Sequence, residues 1–194
     1  MKFPLLRIRI THSSSVKDFV DNWSSFYFDS LESRYSKNIV KHNFDKPSLY
    51  DLFLWKNRMN FKKHKKKMIS FNKMIKKLSC INSLKKNFDL DKFKKEFKEI
   101  GFIWRIFLLH VINPKTYPMI DQNVYRAYQY LVNNDIKEIT ELSNKNKETF
   151  YFETYFCFFN DLLKKYKKSK KIDEALWAFG NYLKSDYRNF VLIK

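Results

Sequence analysis

The stretch Glu99–Arg126, EIGFIWRIFLLHVINPKTYPMIDQNVYR, decides how this chain is built. It contains Gly101, one of only two glycines, and Pro114 and Pro118, two of the four prolines. Between them lies an apolar run of helix length, interrupted only by Arg105 and His110. A helix that is apolar nearly all round has to be covered on every side, so Phe102 to Ile112 is expected at the centre of the fold. Arg105 within it, if buried, calls for a carboxylate or carbonyl partner and is read as structural. Beyond the proline loop, Asp121 precedes Val124, Tyr125, Tyr128 and Leu131 at helical spacing, which predicts a helix opening at the aspartate. One carboxylate is thus set at a defined helix start beside an apolar wall. It is the candidate centre of the chemistry.

Working outward, Asp89 or Asp91 caps a short helix with Phe93 and Phe97 inward, and the chain turns at Ile100 and Gly101, giving helix, hairpin and helix. Pro47, Ser48 and Asp51 mark another helix start, with Leu49, Leu52, Phe53 and Trp55 on its apolar side. The segment FKKHKKK, Phe61 to Lys67, carries five lysines and runs into a helix through Phe71 and Ile75 to Leu78, one face of which is strongly basic. Near the start of the chain, Ser14 or Ser15 caps an amphipathic helix of Phe19, Val20, Trp23, Phe26 and Tyr27 that runs to about Leu31. Leu5 to Ile10 alternates apolar and basic residues, which suits a short N-terminal strand or arm. Lys147 to Lys168 is a long helical region that ends in KKYKKSKK, and the last helix carries Ile172, Leu176, Trp177, Phe179 and Leu183, with Gly180 allowing a neighbour to approach closely. There is no internal repeat and no alternation of strands with helices. The fold is predicted to be all-α, or nearly so. One two-lobed helical domain is expected over residues 1–194, with a lobe at about 45–135 and the N-terminal helix, 15–31, packing with C-terminal helices at 147–184.

Hydrophobic residues at 44% and aromatics at 19% supply a core for 194 residues, so the chain is globular despite its charge. The net charge of +19 points to a polyanionic partner, because lysine and arginine neutralise phosphates and release counterions. The competing account is codon composition, since only 7 of the 39 basic residues are arginine. Cys80 and Cys157 form no CxxC pair, which excludes a zinc ribbon or a four-cysteine iron–sulfur cluster. His12, His42, His64 and His110 show no metal-binding spacing, so neither a metal site nor a cofactor is expected. No signal-peptide core or membrane span is legible, and a cytoplasmic, nucleoid-associated protein is expected.

From Phe97 to Arg126 the order of features resembles the helix-hairpin-helix superfamily of base-excision DNA glycosylases. That family's hairpin has a glycine, an apolar residue and a second glycine, then a buried helix, then apolar-Asp-x-His-Val-x-Arg about twenty residues after the second glycine. Here Gly101 stands for the second glycine, and Ile120-Asp121-Gln122-Asn123-Val124-Tyr125-Arg126 follows at the family's spacing. The resemblance implies a two-lobed helical glycosylase that binds double-stranded DNA as a monomer, with Asp121 as catalytic carboxylate and Gly101, Asn123 and Arg126 at the DNA. Three positions depart from the pattern. Glu99 replaces the first hairpin glycine, Asn123 replaces the histidine, and Ile103 stands where strand-cleaving members carry lysine, so lyase activity is not expected.

The chemistry itself asks for a residue like Asp121. Cleaving an N-glycosidic bond builds positive charge on the sugar, which a fixed carboxylate stabilises while orienting water. The competing reading makes Asp121 a helix cap only. Trp55, Asn57, Tyr117 and Gln122 are candidates for a pocket that stacks on an extruded base and reads its edge. Core packing is the alternative for Trp55. Lys56, Arg58, Lys62, Lys63 and Lys65 are candidates for the phosphate backbone, against a solvated helix face. Two other functions compete: a non-catalytic DNA-binding module on the same scaffold, and a metal-dependent nuclease built on Asp91, Glu96 and Lys98.

Overall fold

The structure is a computed structural model and describes residues 11–186; the predicted N-terminal strand or arm lies outside them. The described residues are all-α. The chain divides into two compact units, the first made of Met1–Tyr27 and Asp121–Lys194 and the second of Phe28–Ile120. The division therefore falls at 27/28 and 120/121, where the sequence suggested a lobe at 45–135. The helix that Asp121 opens belongs to the first unit, and a helix over 32–39 belongs to the second.

Helix α1, Val16–Ser25, is capped by Ser15, whose side chain accepts from the Asp18 amide. It stops short of Leu31 because Asp29 turns the chain: its carboxylate accepts from Leu31 N at 2.9 Å and its carbonyl from Glu32 N at 3.1 Å. That turn starts α2, Glu32–Ile39.

In the second unit α2 lies along α3, Lys46–Asn57. Asp45 and Ser48 exchange side-chain bonds with each other's amides to close the start of α3, and Pro47 sits in its first turn. A 3₁₀ turn, Phe61–Lys63, leads into α4, Lys65–Ile75, and α5, Leu78–Lys86. The single helix expected from Phe61 to Leu78 is thus broken at Lys77, whose ammonium reaches the Glu96 carboxylate at 2.9 Å and carbonyl at 2.6 Å. Asp89 caps α6, Leu90–Phe97, and after a turn comes α7, Phe102–Ile112. As its composition predicts, α7 is buried without a gap from Ile106 to Ile112. Phe53 and Phe61 pack against its Trp104 and Phe107, with ring centroids 4.9 to 5.3 Å apart.

In the first unit, α8, Gln122–Asn133, and α1 both pack on the last helix, α11, Ser169–Lys184. Between them run α9, Asn144–Thr149, and α10, Phe156–Tyr166, joined by one wide π-helical turn, Phe150–Tyr155. That turn brings both Tyr151 and Tyr155 to full burial.

Candidate active site

Asp121 is the N-cap of α8. Its backbone is extended, and its Oδ1 accepts from the amides of Asn123 at 3.0 Å and Val124 at 3.1 Å. Two donors on one oxygen fix the orientation of the half-buried carboxylate, and the positive end of the helix dipole favours a negative charge there.

The turn that carries it is itself clamped. A Cβ added at Gly180 would lie 1.8 Å from the backbone oxygen of Asn123, so only glycine lets α11 come this close to the first turn of α8. Arg126, 2% exposed, spans the crossing. Its Nη1 donates to Gly180 O at 2.7 Å and to Asn123 Oδ1 at 2.9 Å, while Nε and Nη2 donate to Glu138 Oε1 at 2.8 and 2.6 Å. The expectation that Arg126 contacts DNA is corrected here. The Arg126 guanidinium is enclosed and its bonds are spent inside the unit, and Asn123 accepts one of them. Both residues hold the helix start that presents Asp121.

Two further groups belong to this end of the first unit: Tyr155, expected from the sequence only as an inward-packing side chain, and Asp173, not singled out there. Tyr155 is fully buried, and burial first, then the neighbouring Asp173, Tyr151 and Asp121, pushes its phenol well above the ordinary value. Asp173 is a buried carboxylate on α11, two helical turns before Gly180 and so on the same side of the helix. That i, i+7 relation to a helix-crossing glycine was the available signal. Gln122, a predicted pocket residue, is half-buried, and its Nε2 is a buried donor without a hydrogen-bond acceptor among the described residues. A cavity of about 400 Å³ elsewhere in the first unit, lined by Asp18, Asn22, Trp23, Tyr130 and Phe179, does not include Asp121.

The remaining predicted residues belong to the second unit. Trp55 is only 6% exposed; its Nε1 donates to Glu32 Oε2 at 3.1 Å and its ring lies 4.4 Å from that of Tyr35. This corrects its assignment as a base-stacking surface: both faces of its chemistry are used in packing. Tyr35 in turn donates to His110 Nε2 at 2.7 Å, because His110 Nδ1 faces the Tyr117 carbonyl at 2.7 Å and must carry the proton. Tyr117 is buried beside Phe88, and burial raises its phenol. Asn57 turns back to donate to Phe53 O at 2.7 Å. Lys56 lies over the Phe107 ring at 5.8 Å and Lys62 over Tyr50 at 5.0 Å, while Lys63 and Lys65 are exposed. Arg58 pairs with Asp29 at 3.0 Å.

The hairpin turn between α6 and α7 is open. Gly101 is exposed, has φ −56°, and a Cβ there would meet nothing within 4 Å. Arg105 is only half-buried and donates to Lys98 O at 3.4 Å. Glu99 pairs with Lys73 at 3.0 Å, and that lysine draws its carboxyl below the usual range. The turn borders a concavity of about 250 Å³ with five lysines against two glutamates, Glu96 and Glu99. The nuclease alternative fits poorly here, since Glu96 is engaged by Lys77 and sits on a helix. Among the described residues no group of three or more His, Cys, Asp or Glu side chains gathers to hold a metal, and no helix is long and apolar enough to cross a membrane.

Comparisons of the chain with family models, with curated proteins and with solved structures find no match.

Proposed function

We propose that the protein is a monofunctional DNA glycosylase that acts as a monomer on double-stranded DNA, hydrolyses the N-glycosidic bond of a damaged or modified base with Asp121, and leaves an abasic site. The observation that carries the reading is the clamp on the first turn of α8. A simple cap needs no more than the two amides on Oδ1, yet Arg126, Asn123, Glu138 and a glycine that admits no side chain all serve to immobilise this one turn. Immobility is what electrostatic catalysis requires, because a carboxylate held in place costs no reorganisation as charge develops on the sugar. At 4 Å and an effective dielectric near 20 such a pair is worth about 4 kcal/mol, roughly three decades in rate. The Gln122 amide beside it, which finds no acceptor among the described residues, suits an acceptor on the extruded base. Ile103 in place of lysine supports hydrolysis without strand cleavage.

The test is base release from duplexes carrying damaged and modified bases, with hot alkali to reveal abasic sites. Wild type is expected to release at least one base in chelator without cutting the strand, and Asp121→Asn to lose about three decades of that rate while still capping α8. A second reading, a DNA-binding module without catalysis, is favoured by the ordinary cap bonds that Oδ1 makes. Equal DNA binding by both proteins with no base released by either would select it.

A further inference from the structure

Phe28 begins the second unit and is 79% exposed, the most exposed large hydrophobic side chain among the described residues. A lone exposed apolar residue is ordinary on a protein surface. This one is presented by a built support. Arg58 Nη2 approaches its carbonyl at 3.5 Å and pairs with the carboxylate of Asp29 at 3.0 Å, and that carboxylate, only 4% exposed, also accepts from Leu31 N at 2.9 Å. Arg58 reaches them from a left-handed backbone, φ 52°, which costs a non-glycine residue about 1 kcal/mol. The backbone leading out of Phe28 is thus fixed while its ring is left exposed.

The same support leads directly to positive charge. Met59, next to Arg58 and 45% exposed, receives Lys67 Nζ at 3.8 Å from its sulfur. Lys62, Lys63, Lys65 and Lys66 are exposed beside it, and none of these five lysines meets a carboxylate among the described residues. Three of them occupy the first turn of α4, where the helix dipole disfavours cations and no side chain caps the amides. The arrangement works against folding and favours a polyanion.

We propose that Phe28 and the Lys62–Lys67 run form one docking surface for double-stranded DNA, in which the lysines hold phosphates and the Phe28 ring enters the base stack at a weakened pair. Insertion of an apolar wedge unstacks a step at a cost of a few kcal/mol, and the phosphate contacts offset it. The proposal rests on the reading that the chain acts on duplex DNA; it assigns the side chain that opens the duplex and does not depend on Asp121.

The experiment uses full-length protein and a duplex with 2-aminopurine at a central mismatch, whose emission rises on unstacking. All variants carry Asp121→Asn so that no base is lost during the measurement. A severalfold rise at saturating protein is expected with native Phe28, and Phe28→Ala should abolish it and weaken binding roughly tenfold, with the salt slope unchanged. Phe28→Trp should restore the rise. Replacing Lys62, Lys63 and Lys65 by glutamine should keep the rise at saturation while lowering the salt slope by about three. A full emission rise with Phe28→Ala, no rise with Phe28 present, or Phe28-dependent sedimentation with phosphatidylserine vesicles but not with DNA would overturn the proposal. If no base is released by wild type but the emission depends on Phe28, the surface stands and the glycosylase reading falls. If base release proceeds and Phe28 is silent, the surface alone falls.

Discussion

The two units use the same device with different security. In each, a cation is turned inward onto helix carbonyls: Arg126 onto Gly180 O in the first, Lys85 onto Ile39 O at 3.3 Å and Val111 O at 3.0 Å in the second. Arg126 has the carboxylate of Glu138 beside it at 2.6 Å. Lys85 has no carboxylate among the described residues, only the Phe44 ring 4.3 Å away, and burial pushes its ammonium down to about 8. The glycines repeat the contrast. Gly180 sits where nothing can be added, and Gly101 sits in open space. Rigidity is concentrated where Asp121 is presented, and the hairpin that carries the family-like glycine is built loosely.

The largest expected effect breaks or confirms this asymmetry at the glycines. Gly180→Ala forces backbone against backbone, with no flexible side chain to give way, and should cost about 3 kcal/mol or more, enough to prevent folding in a marginal domain. Gly101→Ala should change stability by no more than about 0.5 kcal/mol, since its φ suits any residue and the lost cap preference is offset by a less flexible unfolded chain. Urea unfolding of both variants decides it. Equal losses would mean that the two turns are under the same constraint.

Next in size is the ion pair. Arg126→Met leaves Gly180 O and Asn123 Oδ1 without their buried donor and should cost about 2 to 3 kcal/mol, part of the Glu138 contribution being lost to solvent because that carboxylate is partly exposed. Lys73→Gln removes the exposed pair with Glu99 at the hairpin and should cost far less than the loss of Arg126. Thermal melts of the two, at low and moderate salt, should differ further in that only the Lys73 effect fades with salt.

Much of the scaffold was legible because it depends on neighbours in sequence. The burial of α7 follows from a run with no polar face, and Ser15, Asp89 and Asp121 cap helices for reasons contained within four residues. Gly180 was likewise read as a point of close approach, and the crossing with Asn123 is that point. The misassigned side chains are those whose partners lie far along the chain. Trp55 looked free for stacking because Glu32 is 23 residues away; Arg126 looked available to phosphate because Gly180 is 54 away. His110 passed as one of four scattered histidines because its hydroxyl partner, Tyr35, lies 75 residues upstream. A polar residue at helical spacing announces its face, but only the folded chain decides whether that face is already occupied.

The smallest effect separates the two inward cations by pH. Lys85 binds its proton less tightly folded, at about 8, than unfolded, near its ordinary 10.5. Between those values the unfolded chain carries more protons, so stability contributed at this position rises with pH across the window and is at its lowest below 8, where both states are charged. Measured as wild type minus Lys85→Met, which cancels the many other groups that titrate there, the difference should grow by about 1 kcal/mol between pH 8 and 10.5, less than full linkage because the side chain is only half-buried. The corresponding difference for Arg126→Met should stay flat over the same range. A flat Lys85 profile would mean that the two carbonyls and the ring compensate its burial, and that the second unit is held as securely as the first.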